Sequence, residues 1–125
     1  MKAERWGTGS KGRSTTVAHG GRIWTVSNAR TLNCTFEEQV SETLGLLQES
    51  LRQASSDKSN LLSVQVILTD ITNRDAFDEL WCRWIGDNPD HWPQRAVFGA
   101  ALAPGLLIEI IAVASCESKA KPSEA

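Results

Sequence analysis

Apolar positions along this chain repeat every two residues in some stretches and every three or four in others. Each change of period predicts an element boundary. Residues 1–13 hold glycine and lysine without any period and read as loop. Ser14–Ala18 reads as a short strand. His19-Gly20-Gly21 is a turn signal, and Arg22–Val26 predicts the strand that returns from it. Thr35-Phe36-Glu37-Glu38 then has the spacing of a capping box, in which threonine and glutamate each satisfy a free amide at a helix start. Phe36, Val40, Leu44, Leu47 and Leu51 follow at steps of three or four, so they share one helical face that ends near Ala54-Ser55-Ser56.

Leu62–Leu68 alternates in part and is rich in β-branched residues, which predicts a strand. Asn73 is placed to cap a second helix, with Phe77, Leu80, Trp81, Trp84 and Ile85 as its apolar stripe. Gly86-Asp87-Asn88-Pro89 stops it. The chain closes with Trp92–Val97 and Ile108–Ala114, joined through Pro104-Gly105, and these read as a buried β-hairpin. The order is ββ-α-β-α-ββ: an α+β sandwich in which two helices bury their stripes on one face of a mixed sheet. Leu107, Ile108, Ile110 and Ile111 supply apolar groups to both faces of the last strand, so the other face needs cover, and oligomerisation is the simplest cover.

The 125 residues form one domain, residues 14–116, followed by a frayed tail over 117–125. Fifteen acidic residues against thirteen basic ones, with no basic run, leave no footprint for a phosphate backbone, so nucleic acid is not an expected partner. Cys34, Cys82 and Cys116 are odd in number and form no metal-ligand cluster, which argues against structural zinc and for a reducing compartment. Met1–Trp6 lacks the apolar stretch of a secretory signal, and no apolar run reaches membrane-spanning length. The expected location is the cytoplasm, away from any membrane.

Within the last two strands a single arginine, Arg95, and a single glutamate, Glu109, interrupt apolar sequence. An unpaired buried charge costs several kcal/mol. The pair therefore forms a structural ion pair or lines a small polar pocket for a carboxylate and a water. Trp81 and Trp84 fall in the helical stripe and fit core packing, while Trp24 fits the wall of a cleft. His19 and His91 lack a neighbouring nucleophile, and Cys82 lacks an activating group. Gly20-Gly21 is a turn, not a phosphate loop.

Taken in order, Val17–Trp24, Glu38-Gln39-Val40, Leu61–Val64 with Leu68-Thr69-Asp70, Phe77–Trp84, Pro93-Gln94-Arg95-Ala96 and Ile108-Glu109-Ile110 resemble the YjgF/RidA family of reactive-intermediate deaminases, once labelled L-PSP endoribonucleases. The resemblance spans residues 14–114. It implies a homotrimer of chorismate-mutase-like subunits with clefts between neighbours. It implies hydrolysis of 2-imino acids, formed from enamines, to 2-keto acids and ammonia, with no metal or organic cofactor. Arg95 takes the family's carboxylate-binding position, Glu109 its water-orienting position, and the amide of Val97 assists the carboxylate. The helix position that is usually asparagine is matched to Trp81, which with Trp24 joins the candidate substrate-binding residues. Val26-Ser27-Asn28 replaces Ser-Gly-Gln, and Ala96 replaces serine. Two alternatives stand beside this reading. One is a pathway-specific deaminase or hydrolase of a larger conjugated or aromatic carboxylate. The other is a metabolite-binding trimer without turnover.

Overall fold

The capping box at Thr35 forms as its spacing requires. Glu38 N–H donates to Thr35 Oγ1 at 3.1 Å, and Thr35 N–H donates to Glu38 Oε1 at 3.0 Å. It opens helix α1 (Phe36–Gln53), whose buried face carries Val40, Leu44, Leu47 and Leu51. In this computed structural model, which describes residues 2–9 and 11–116, α1 and helix α2 (Arg74–Ile85) lie against one six-stranded sheet. The expected tail over 117–125 lies outside the described residues. Helix α2 buries Phe77, Trp81 and Ile85, half-buries Leu80 and Trp84, and ends at Gly86, whose φ of 88° suits a residue without a Cβ. Asn73 stands at its N-cap without a side-chain cap bond; Asp70 instead accepts from Thr72 N–H in the turn before it.

The strands are β1 (Glu4–Trp6), β2 (Thr16–His19), β3 (Arg22–Asn28), β4 (Leu61–Leu68), β5 (Gln94–Gly99) and β6 (Ile108–Ser115). Their spatial order is β1-β2-β3-β6-β4-β5. The mixed α+β architecture is the expected one, with two departures. Residues 4–6, expected as loop, add an edge strand to β2. The last two strands do not form a hairpin: β6 inserts between β3 and β4, and β5 pairs in parallel with β4 at the far edge. A tight hairpin would bury only one strand on both sides. Inserting β6 at the centre lets Ile108, Ile110, Ala112 and Ala114 sit under the helices with neighbours on each flank.

The long β5–β6 connection is held from below. Gln39, fully buried on α1, donates through Nε2 to Gly105 O at 3.2 Å and accepts from Leu107 N–H at 2.6 Å. A buried amide with both ends bonded fixes where β6 begins. Among the described residues the opposite face of the sheet carries no helix, and it leaves Trp24 and Phe98 45% and 43% exposed. Val26 joins them, with half-buried Ile67, Ile111 and Val113 between.

Candidate functional site

Arg95 lies in the edge strand β5, in register with Val64 of β4. Val64 is a core residue beneath the helices, so Arg95 leaves the sheet on the helix side. Its guanidinium carbon stands 5.4 Å from the Phe77 ring centroid and 5.6 Å from that of Trp81. Its Nη2 donates to Asp78 Oδ1 at 2.7 Å, and its side chain keeps 20% of its exposure. Two aromatic faces and one carboxylate thus hold a planar, permanently charged group at the edge of the sheet. A guanidinium has five donors, and this arrangement consumes one. What remains suits a planar anion such as a carboxylate, which accepts two parallel N–H bonds.

Glu109 lies elsewhere. It pairs with Asn28 across β3 and with Ile67 across β4, and Asn28 Nδ2 donates to its Oε1 at 3.2 Å. Its neighbours in β6, Ile108 and Ile110, are buried under the helices, so Glu109 leaves by the opposite face. It borders an open cleft of about 920 Å³ along the β3 edge that β2 leaves uncovered beyond Thr25, a cleft that reaches round the sheet edge to α1. Asn28, Arg13, Arg30, Trp6 and Glu49 border the same cleft.

The expectation that Arg95 and Glu109 stand in neighbouring strands, close enough for an ion pair, is therefore corrected. Strand β4 separates them. Their register positions, at Val64 and Ile67, differ by three residues, which with strand spacing puts their Cα atoms about 14 Å apart, on opposite faces. The sequence could not disclose this, because the pairing of β5 with β4 is parallel and non-local.

The other candidates divide in the same way. Val97 sits two residues beyond Arg95 in β5 and packs on the core from the helix side. Trp81 is 6% exposed and stacks against Phe77 and Trp84 at centroid distances of 6.1 and 5.4 Å. It is a core residue that also supports the guanidinium, and the polar helix residue at Arg95 is Asp78, one turn earlier. Trp24 stands on the helix-free face, registered with Val17 and Val113, and does not border the cleft. Sequence reasoning missed Asp78, Asn28 and Gln39. Asp78 had a signal, as an acid lying between Phe77 and Trp81 at the rim of the apolar stripe. Asn28 showed only as the residue in place of the glutamine of the resembled family, and Gln39 had no signal, since their partners are 81 and 66 or more positions away.

Among the described residues no group of histidine, cysteine and acidic side chains is placed to hold a metal ion, and Cys34, Cys82 and Cys116 are free thiols. No helix there is long and apolar enough to cross a membrane.

Comparison with known proteins supplies the context for this geometry. The profile of the family described as endoribonuclease L-PSP matches residues 8–116. A RutC family protein of Haemophilus influenzae is 37% identical over 82 residues, covering 63% of this chain and 67% of that protein. Among solved structures, a member of the YjgF protein family from Neisseria meningitidis superposes with a TM-score of 0.86 at 25% identity, covering 94% of this chain and 98% of its own. A member of the YjgF/YER057c/UK114 family from Mycobacterium tuberculosis gives 0.79 at 22% identity, covering 91% and 99%. Yeast Mmf1 gives 0.84 at 15% identity, covering 93% and 100%, a likeness of fold alone.

Proposed function

Because this chain belongs to the endoribonuclease L-PSP family, the group in which the YjgF and RutC proteins fall, we propose that it hydrolyses 2-imino acids to 2-keto acids and ammonia. The observation that carries the reading is the guanidinium of Arg95, held over two aromatic rings with donors left to grip a carboxylate. The amide of Val97 is its proposed assistant. Gripping the carboxylate fixes the adjacent C=N carbon for attack. Glu109 orients a water and takes one of its protons as the water oxygen bonds to that carbon. Glu109 passes that proton to nitrogen in the tetrahedral carbinolamine, the hydroxyl gives its own proton back to the Glu109 carboxylate as the C–N bond breaks, and ammonia leaves with the keto acid behind. No redox step and no cofactor is called for.

The opposite facing of Arg95 and Glu109 fits this chemistry only when the site is shared. Arg95 comes from one copy and Glu109 from its neighbour, in a homotrimer that packs the helix-free faces together and covers Trp24 and Phe98. Three free thiols fit residence in the cytoplasm.

The reading is tested by ammonia release from 2-iminopropanoate and 2-iminobutanoate generated in the assay. Turnover well above the spontaneous rate, lost in Arg95→Lys and Glu109→Gln, is the expected result. A second reading is favoured by Asp78, which already occupies one donor of Arg95: a trimer that binds metabolite carboxylates without turnover. It predicts keto-acid binding with no ammonia release. The family's nuclease description predicts RNA cleavage instead; a net charge of −2 without a basic run supports its absence here.

A further inference from the structure

Asp78 is the residue that neither the sequence nor the proposed mechanism uses, and among the described residues it is Arg95's ion-pair partner. It follows Phe77 on α2 and precedes Trp81 by three positions, so the two rings and the carboxylate form one cradle. Its Oδ1 accepts from Arg95 Nη2 at 2.7 Å, and its Oδ2 stands 4.0 Å from Arg74 Nε. The two donor forks of a guanidinium share Nη2, with one of its hydrogens in each. A bond from Nη2 to Asp78 therefore spoils one fork and leaves one complete. A guanidinium lying on aromatic faces alone is free to turn in its own plane; the bond to Asp78 stops it.

The carboxylate has a second consequence. With a side-chain exposure of 36%, Asp78 faces solvent as well as Arg95. A ligand carboxylate in the remaining fork comes to lie close beside it. Arg74 and Arg95 together outweigh Asp78 by one positive charge, enough for one ligand carboxylate. A second ligand carboxylate on that side meets like charge, whereas a neutral or hydrogen-bond-donating group does not.

We infer that Asp78 is the positioning residue of the Arg95 clamp and its specificity determinant: it admits monocarboxylates with a neutral or donor-bearing remainder and discriminates against dicarboxylates. The inference rests on the reading of Arg95 as a carboxylate clamp, and the test separates the two. Keto-acid products serve as probes, with binding measured by calorimetry for 2-oxobutanoate and 2-oxoglutarate. The wild type is expected to bind 2-oxobutanoate about tenfold more tightly, the scale of one unit-charge interaction at a half-exposed site. Asp78→Asn keeps an acceptor for Nη2 and removes the charge. It is expected to shrink that ratio severalfold by tightening the dicarboxylate. Asp78→Ala, which loses the acceptor as well, is expected to weaken both probes at an unchanged melting temperature, and Asp78→Asn to restore 2-oxobutanoate binding. A merely structural role moves both probes alike in Asp78→Asn and lowers the melting temperature of Asp78→Ala. An unchanged ratio in Asp78→Asn, with binding still lost in Arg95→Lys, overturns the role of Asp78 and leaves the clamp. Wild-type binding in Arg95→Lys, or no binding of either probe by the wild type, overturns the clamp and this inference with it.

Discussion

At the scale of single residues, the proposed chemistry rests on the guanidinium of Arg95, which a lysine ammonium does not reproduce. Arg95→Lys keeps the charge and loses both the fork and the flat surface that lies on Phe77 and Trp81. Losing a charge-assisted hydrogen bond costs roughly 1.5–3 kcal/mol, so imine hydrolysis by Arg95→Lys is expected to fall about ten- to a hundredfold. A full rate in this variant removes the clamp assignment. Trp81 carries a different expectation. Its ring is 6% exposed and packs between Phe77 and Trp84, so Trp81→Asn leaves a void and an amide without partners. A loss of about 3 kcal/mol or more follows from such truncations, which lowers the melting temperature by roughly 10 °C in a domain of this size. Selectivity between small and branched imino acids is expected to stay as it was. A broader substrate range with little loss of stability reverses that reading and makes Trp81 a pocket wall.

At the scale of elements, two devices fix the ends of α1. The capping box satisfies two free amides at its start, and Thr35→Ala is expected to cost about 1 kcal/mol in denaturant melts, without change in the m-value. At the other end, Asp57 ties the helix to the turn before β4. It accepts from Ser59 N–H at 3.0 Å and from Gln48 Nε2 at 2.9 Å, with Arg52 4.0 Å away. The Ser59 amide foremost, then the Gln48 side chain, hold its carboxyl below the ordinary 3.8 against the opposing pull of partial burial. A depressed carboxylate stabilises the fold fully above that ordinary value and loses its contribution as the pH falls through the folded one. Wild-type melting temperature is therefore expected to drop on acidification below about pH 4 more steeply than that of Asp57→Asn. Parallel curves for the two proteins remove Asp57 from the acid limb.

For the molecule as a whole, the decisive feature is a sheet with one face covered and one bare. The exposed Trp24, Val26 and Phe98 form an apolar surface whose simplest cover is the same surface of another copy. A homotrimer is the expected species in light scattering, and Trp24→Asp is expected to dissociate it and abolish turnover together. A monomer at every concentration sinks the shared site as well. A mixing experiment probes the sharing directly. Arg95→Lys and Glu109→Gln trimers, each strongly impaired, are dissociated and reassembled at equal amounts. If each site takes Arg95 from one copy and Glu109 from the next, about a quarter of the sites regain both residues under random assembly. No recovery places both residues of a site in one chain, against their opposite facing.

Sequence alone determined what is local. Helix α1 and its capping box, the stripe of α2, its stop at Gly86 and the β2–β3 turn were all legible, because each depends on residues within about a turn of one another. The two site candidates, Arg95 and Glu109, were legible as charges in apolar strands. Their relation was not. A hairpin between β5 and β6 and the insertion of β6 between β3 and β4 satisfy the same alternation of apolar residues equally well. Only tertiary packing chooses between them, by burying Ile108, Ile110, Ala112 and Ala114 beneath both helices with a bonded strand on each side. That choice carried Glu109 to the bare face beside Asn28, carried Arg95 to the covered edge beside Asp78, and made Gln39 the buried anchor of a loop more than sixty residues away. Contacts over such separations depend on which strand lies next to which, and strand alternation carries no record of neighbours.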